Sequence, residues 1–321
     1  MEAEFGVVGL GRMGGGLALQ GLTKGMTVHG HDLFPPDDEL AGAGIVFHET
    51  LAAFVAAISR PRKIFLYIHA GPAVDAMLES LTPHLEEGDI VVDGGNTYWG
   101  DDIRRHQRLA EHGIRLVDLG TSGGVEGARN GACFMVGGDR EAVDLIEPIL
   151  IRLCIEGGYV RTGGPGTGHF VKLVHNGIEF GMLQAIGEGV DLLEKYDETL
   201  PIPEILKCWQ NGSVVRSWLI DLMHDGIVAQ KEGLDSVPGY IEDTGEVNWL
   251  VGDAMRMEVP IPVISASVMQ LFASRDDRRN WARAIAIMRH GFGGHPFGPK
   301  PELQVERKIS RVGDIYRPPN P

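Results

Sequence analysis

Short apolar runs recur along the first half of the chain: Phe5–Gly9, Thr27–His31, Lys63–Ile68, Ile90–Asp93, Arg115–Leu119 and Ala132–Gly137. Each is too short for a core helix, and each is followed by an amphipathic stretch. Strands separated by helix-length connections cannot close as hairpins. They pair in parallel, with helices covering both faces of the sheet. Residues 161–168, with four glycines and one proline, break this pattern and mark a boundary. Thr167 is placed to cap a helix that starts there. Beyond it the spacing turns helical, over 168–196, 203–225, 248–257, 262–274 and 276–290, with Pro260 and Pro262 separating two of these segments. The expectation is a doubly wound, mostly parallel α/β domain over residues 1–166. An all-α domain comes next, over 167–321, with an irregular tail from Gly291.

The first apolar run leads into Gly9-Leu10-Gly11-Arg12-Met13-Gly14. Glycines at this spacing, after a strand and opening a helix, permit a tight turn. They also let a pyrophosphate approach the N–H groups of a helix N-terminus. The first domain therefore reads as a Rossmann-type dinucleotide site formed by Gly9, Leu10, Gly11, Arg12, Met13 and Gly14. Asp32 stands at the end of the second run, directly after His31. A carboxylate there accepts hydrogen bonds from ribose hydroxyls and repels a 2′-phosphate, and the next residue is Leu33, not arginine. The sequence thus favours NAD, with NADP as second choice. The Pro35-Pro36-Asp37-Asp38 loop leaves a plain turn role for Asp32 open.

Lys172, His175, Asn176 and Glu179 fall at i, i+3, i+4 and i+7, on one helical face. Phe170, Leu173, Val174 and Ile178 are expected to pack on the other faces. A solvated, salt-bridged face has no need of an imidazole and an amide between its charges. Nor does it explain glycines at 163, 164, 166, 168, 177 and 181, which allow close approach of backbone or ligand. The face reads as a catalytic one.

The charge balance narrows the partners. The 321 residues carry 29 basic and 44 acidic side chains, a net −15, which opposes nucleic acid and anionic membranes. An anionic substrate then needs a local basic cluster. No apolar run approaches the ~20 residues that span a bilayer. The acidic start Met1-Glu2-Ala3-Glu4 does not look like a signal peptide. Cys133, Cys154 and Cys208 lack pairing or metal spacing, so reduced, buried thiols and a cytoplasmic setting are expected.

The segment His169-Phe170-Val171-Lys172-Leu173-Val174-His175-Asn176-Gly177-Ile178-Glu179 resembles the signature helix of 6-phosphogluconate dehydrogenases. The wider β-hydroxyacid dehydrogenase superfamily shares its glycine-rich lead-in and its lysine. Val92-Asp93-Gly94-Gly95-Asn96-Thr97 and Thr121-Ser122-Gly123-Gly124-Val125-Glu126-Gly127 resemble two further loops of the family, and the length is similar to its short-chain branch. The resemblance implies oxidative decarboxylation of 6-phosphogluconate without a metal. Lys172 would be the general base and then the enolate-stabilising cation, and Glu179 the acid. Asn96, Ser122, Gly123, Gly124, His175 and Asn176 would hold the sugar acid, with Asn96 also near the dinucleotide. Arg289 and His295, around Gly291-Phe292-Gly293-Gly294, would bind the phosphate of a neighbouring subunit's substrate, so a homo-oligomer, dimer or tetramer, is implied. Arg275 or Arg278 would add a further phosphate contact.

Two positions depart from the family pattern. Phe180 stands where a tyrosine is usual, and Glu246 falls in Asp243-Thr244-Gly245-Glu246-Val247-Asn248-Trp249, a stretch where long members carry a lysine. A dehydrogenase for a smaller, unphosphorylated β-hydroxy acid therefore stays open. So does a non-catalytic dinucleotide sensor, although a sensor needs neither Lys172 nor Glu179.

Overall fold

The computed structural model describes residues 3–230, 233–302 and 304. The first half holds β1 (Glu4–Val8), α1 (Arg12–Thr23), β2 (Thr27–His31), α2 (Asp38–Gly42), β3 (Val46–Phe47), α3 (Leu51–Ala57), β4 (Lys63–Leu66), α4 (Pro72–Leu81), β5 (Ile90–Asp93), α5 (Trp99–Ala110), β6 (Arg115–Ser122), α6 (Gly124–Asn130), β7 (Ala132–Gly138), α7 (Arg140–Leu153) and β8 (Cys154–Gly163). Then come α8 (Thr167–Glu194), α9 (Ile202–Gln210), α10 (Trp218–Ala229), α11 (Glu246–Arg256), α12 (Pro262–Arg275) and α13 (Asn280–Gly293).

The strands form one sheet in the order β3-β2-β1-β4-β5-β6-β7-β8. All pairs are parallel except β6 with β7. Alternate side chains of the central strands go to opposite faces. Val7, Phe65, Val92 and Val117 enter one core; Val8, Ile64 and Leu66, Val91 and Leu116 enter the other. Burial on both faces is why these strands read as continuous apolar runs.

Each of the six runs is a strand. β3 and β8 gave no such signal: β3 has two residues, and β8 is a largely exposed edge strand interrupted by Gly157 and Gly158. Past β8 the described residues are helical or irregular. The helical segment expected over 203–225 is divided into α9 and α10. Helix α13 runs on to Gly293, three residues into the expected irregular tail, and residues 301, 302 and 304 are helical; residue 303 and those beyond 304 lie outside the described residues.

By contacts, the described chain groups into two compact units. One is Met1–Val237 with Glu242–Met269, and the other is Pro238–Ile241 with Gln270–Pro321. The first unit includes α8 because its opening turn is locked onto the sheet. Gly168 lies so close to β6 and β7 that a Cβ there would stand 2.6 Å from the Asp118 and Met135 carbonyl oxygens. The Asp118 carboxylate accepts from the N–H groups of Gly166 (2.7 Å) and His169 (3.0 Å). The cap of α8 thus comes from β6. Thr167 does not supply it and donates back to the Gly164 carbonyl instead. Farther along, Leu173 packs with Val247, Leu250 and Val268.

Candidate active site

A cavity of about 1520 Å³ opens in the first unit between the β1–α1 turn, the loop after β5, the end of β6 and one face of α8. Pockets for one small ligand run to roughly 1,000 Å³. This one has room for a dinucleotide and a small acid together.

At one end lies the glycine turn. Gly9 has φ +91°, and a Cβ on Gly14 would fall 1.9 Å from the Gly9 carbonyl oxygen, so only glycine closes this turn. Gly11 has open space beside it, lines the cavity and leaves α1 without a side-chain cap. The N–H groups of the first turn of α1 therefore face room for an anion, as a pyrophosphate requires. Arg12 and Met13 line the cavity, while Leu10 and Gly14 shape the turn behind it. Asp32 also lines the cavity. Its carboxylate accepts from the N–H groups of Leu10 and Leu33, each at 2.6 Å. The Leu33 side chain is 91% exposed and offers no cation there.

At the other end, α8 turns Lys172, His175, Asn176 and Glu179 into the cavity. The Lys172 ammonium donates to Asn176 Oδ1, and Asn176 Nδ2 donates to Asn96 Oδ1 at 3.4 Å. His175 Nε2 stands 3.0 Å from Ser122 Oγ, and its Nδ1 lies 3.2 Å from Asn176 Oδ1 and 3.9 Å from Glu179 Oε2. With acceptors on the Nδ1 side, the proton belongs on Nδ1, and Nε2 accepts from the Ser122 hydroxyl. Gly123 and Gly124 continue the wall with positive φ. Burial pushes the Lys172 amine below its ordinary value, with the negative charges of Glu179 and Glu246 pulling the other way. A depressed amine can exchange protons nearer neutrality than a solvated one.

Below this face runs a buried ion network. Asp93 holds the loop that carries Asn96, accepting from the Gly95 N–H (3.0 Å) and Thr97 Oγ1 (2.9 Å). His169, one turn before Lys172, bonds Asp102 at 2.5 Å, both side chains being 1% exposed. The fully buried Arg105 lies 3.7 Å from both Asp93 and Asp102. Asp93, Asp102 and His169 bring their ligand atoms within 4.8 Å of one another. The guanidinium already supplies the positive charge that such a cluster would ask of a metal.

Not every expected residue belongs here. Arg275, Arg289 and His295 are in the second unit. There Arg275 Nε donates to the Leu271 carbonyl, and the His295 carbonyl lies 2.9 Å from His290 Nδ1. Arg278 lines a shallow pocket with Arg279 and Arg283. Ile178, expected to pack, is 54% exposed and lines the cavity, as does Val174. Cys133 and Cys208 are exposed, not buried, and Cys154 is half-buried; all three are free thiols. Tyr67, Trp218 and Glu246 line the cavity too. Tyr67 directly succeeds β4, a position from which a side chain reaches a ligand at the strand ends, and that was the signal available for it.

Residues 4–156 match the NAD binding domain of 6-phosphogluconate dehydrogenase, and residues 168–302 match the 6-phosphogluconate dehydrogenase C-terminal domain. The NAD(+)-dependent, decarboxylating 6-phosphogluconate dehydrogenase of Haloferax volcanii is 36% identical over 299 residues, 92% of this chain and 99% of that protein. The NADP(+)-dependent, decarboxylating enzyme of Bacillus subtilis is 37% identical over 292 residues, 85% of this chain and 61% of that one. Among solved structures, the Plasmodium falciparum 6-phosphogluconate dehydrogenase, determined apo, with its cofactor NADP+ and with its substrate 6-phosphogluconate, is similar at TM-score 0.76 and 28% identity, covering 93% of this chain and 67% of that one. With a glycine turn fit for a dinucleotide and an amine and a carboxylate turned into the same cavity, this chain is an oxidoreductase that belongs to the 6-phosphogluconate dehydrogenase family.

Proposed function

We propose that the chain oxidises and decarboxylates 6-phosphogluconate to ribulose 5-phosphate and CO₂, with NAD preferred over NADP. The observation that carries this reading is the half-buried Lys172, its pKa lowered, sharing one cavity with the glycine turn and with Glu179. The bound dinucleotide supplies the hydride acceptor. Gly9, Gly11, Arg12, Met13 and Asp32 would hold it.

Lys172 accepts the proton of the substrate's C3 hydroxyl as hydride departs from C3. The resulting 3-keto acid sheds its carboxylate as CO₂, and the electron pair passes into the enol system. Protonated Lys172 stabilises the oxyanion that develops. Glu179 then gives a proton to the carbon that lost CO₂. Asn96, Ser122, Gly123, Gly124, His175 and Asn176 orient the acid, a reading supported by the Ser122–His175 and Asn96–Asn176 hydrogen bonds in the cavity wall. Residues 1–166 act as the dinucleotide domain, and 167–321 as the substrate and assembly domain.

Asp32 supports NAD. Its two backbone hydrogen bonds fix a negative charge where a 2′-phosphate would lie. The phosphate of the substrate is assigned to Arg289 and His295 of a neighbouring copy, with Arg275 or Arg278. Exposed apolar side chains along α13 support that assembly as dimer or tetramer. Free thiols support a cytoplasmic setting. Phe180, a ring without a hydroxyl in the cavity wall, favours a second reading: oxidation of a smaller, unphosphorylated 3-hydroxy acid.

The test is absorbance of reduced nicotinamide with each dinucleotide and 6-phosphogluconate. The expected result is turnover with NAD at least about tenfold more efficient than with NADP, about 1.4 kcal/mol of discrimination. The proposal falls if neither dinucleotide is reduced.

A further inference from the structure

Glu246 lies in the first turn of α11, 9% exposed, in the wall of the same cavity as Lys172 and Glu179. Its Oε2 accepts from Thr244 Oγ1 at 2.5 Å, which fixes the side chain. Among the described residues no hydrogen-bond donor is seen on Oε1. It stands near enough to Lys172 for the ammonium to feel its charge. Lys172 thus feels two carboxylates of the cavity wall, Glu179 and Glu246, and the proton transfers proposed above use only Glu179.

A carboxylate can only accept. Whatever meets Glu246 must donate, and an anionic group is driven away from it. The carboxylate and phosphate of a substrate therefore lie elsewhere, and a neutral hydroxyl lies here. An acid with a single hydroxyl commits that group to Lys172. It would leave Glu246 Oε1 desolvated and without a donor, a mismatch that sites reject by large factors. A polyhydroxylated acid has a second hydroxyl to give. We infer that Glu246 is a specificity-determining residue whose carboxylate takes a hydroxyl hydrogen of the substrate, restricting the cavity to polyhydroxy acids. This rests on the dehydrogenase reading of the cavity.

The experiment compares 6-phosphogluconate and gluconate with 3-hydroxypropionate, in the wild type, Glu246→Ala and Glu246→Gln. The ratio of kcat/KM for the polyhydroxy acids over the single-hydroxyl acid is expected to fall about 100-fold in Glu246→Ala. It should fall less than about tenfold in Glu246→Gln, whose amide oxygen still accepts. An unchanged ratio in Glu246→Ala overturns the inference. Should Glu246→Ala not fold, Thr244→Val frees the carboxylate without removing it, and a fall in the same ratio is again required.

Binding of gluconate and 3-hydroxypropionate is monitored in parallel by isothermal titration calorimetry. If the wild type reduces no dinucleotide, the dehydrogenase reading fails. The binding ratio then still decides the role of Glu246: loss of gluconate preference in Glu246→Ala upholds it, and no preference in the wild type overturns it.

Discussion

Lys172 must be uncharged before it can take a proton from a hydroxyl. Burial moves its pKa down from 10.5, so the neutral form is reached at lower pH than for a solvated lysine. In the proposed reaction kcat/KM rises with pH and levels off above an inflection that lies below 10.5. Lys172→Met should lower kcat by at least about 10³ and abolish that limb. A pH–rate profile of both proteins checks this, and an inflection that survives the substitution would assign it to another group. At this scale the sequence was informative where chemistry repeats at helical spacing, since Lys172, His175, Asn176 and Glu179 do share the cavity. It was silent on partners. Asn96 meets Asn176 and Ser122 meets His175 across 80 and 53 residues of chain, distances that only the fold closes. Trp218 gave no signal at all, because nothing in its surroundings distinguishes a wall residue from a core one.

The elements that carry these residues are joined by the buried network linking β5, α5 and α8. Burial alone would push His169 down, but the Asp102 carboxylate overrides it and raises the imidazole to about 9. A group raised in the folded state stabilises fully below its unfolded value, near 6.5, and loses that contribution as pH climbs toward about 9. Wild-type Tm should therefore decline over this window. Burial holds the Asp102 carboxyl itself up at about 7, so the buried pair shares its proton over this window. Asp102→Asn should flatten the decline and cost about 3 kcal/mol by leaving the buried imidazole without its carboxylate. Melting curves of both proteins from about pH 6 to about pH 9 decide it, and parallel slopes would show that the pair does not set the decline. None of this was readable in advance. Asp102 and Arg105 sit on an amphipathic stretch where charges ordinarily meet solvent, and Asp118 lies in a strand. The strands themselves were legible because they are buried on both faces. β8 was not, since an exposed edge needs no apolar pattern, and the reversal of β7 leaves no mark in composition.

For the whole molecule, net charge of −15 works against association, yet α13 displays Trp281, Ile285, Met288 and Phe292 at i, i+4, i+7 and i+11, 64%, 45%, 61% and 76% exposed. A continuous apolar stripe of that kind asks for a partner, and the proposed assembly supplies a second copy. Trp281→Glu with Met288→Glu should shift the protein to monomer in sedimentation velocity and abolish turnover of 6-phosphogluconate. A wild type that sediments as a monomer would refute the shared site. The self-association was implied by resemblance alone. The glycine-rich link at residues 163–168 invites the idea of a hinge, but Gly168 is wedged between two strands and Asp118 grips the backbone on either side of Thr167. Whatever breathing admits a ligand, the opening turn of α8 travels with the sheet, and in the proposed reaction Lys172, one turn on, would be carried along with it.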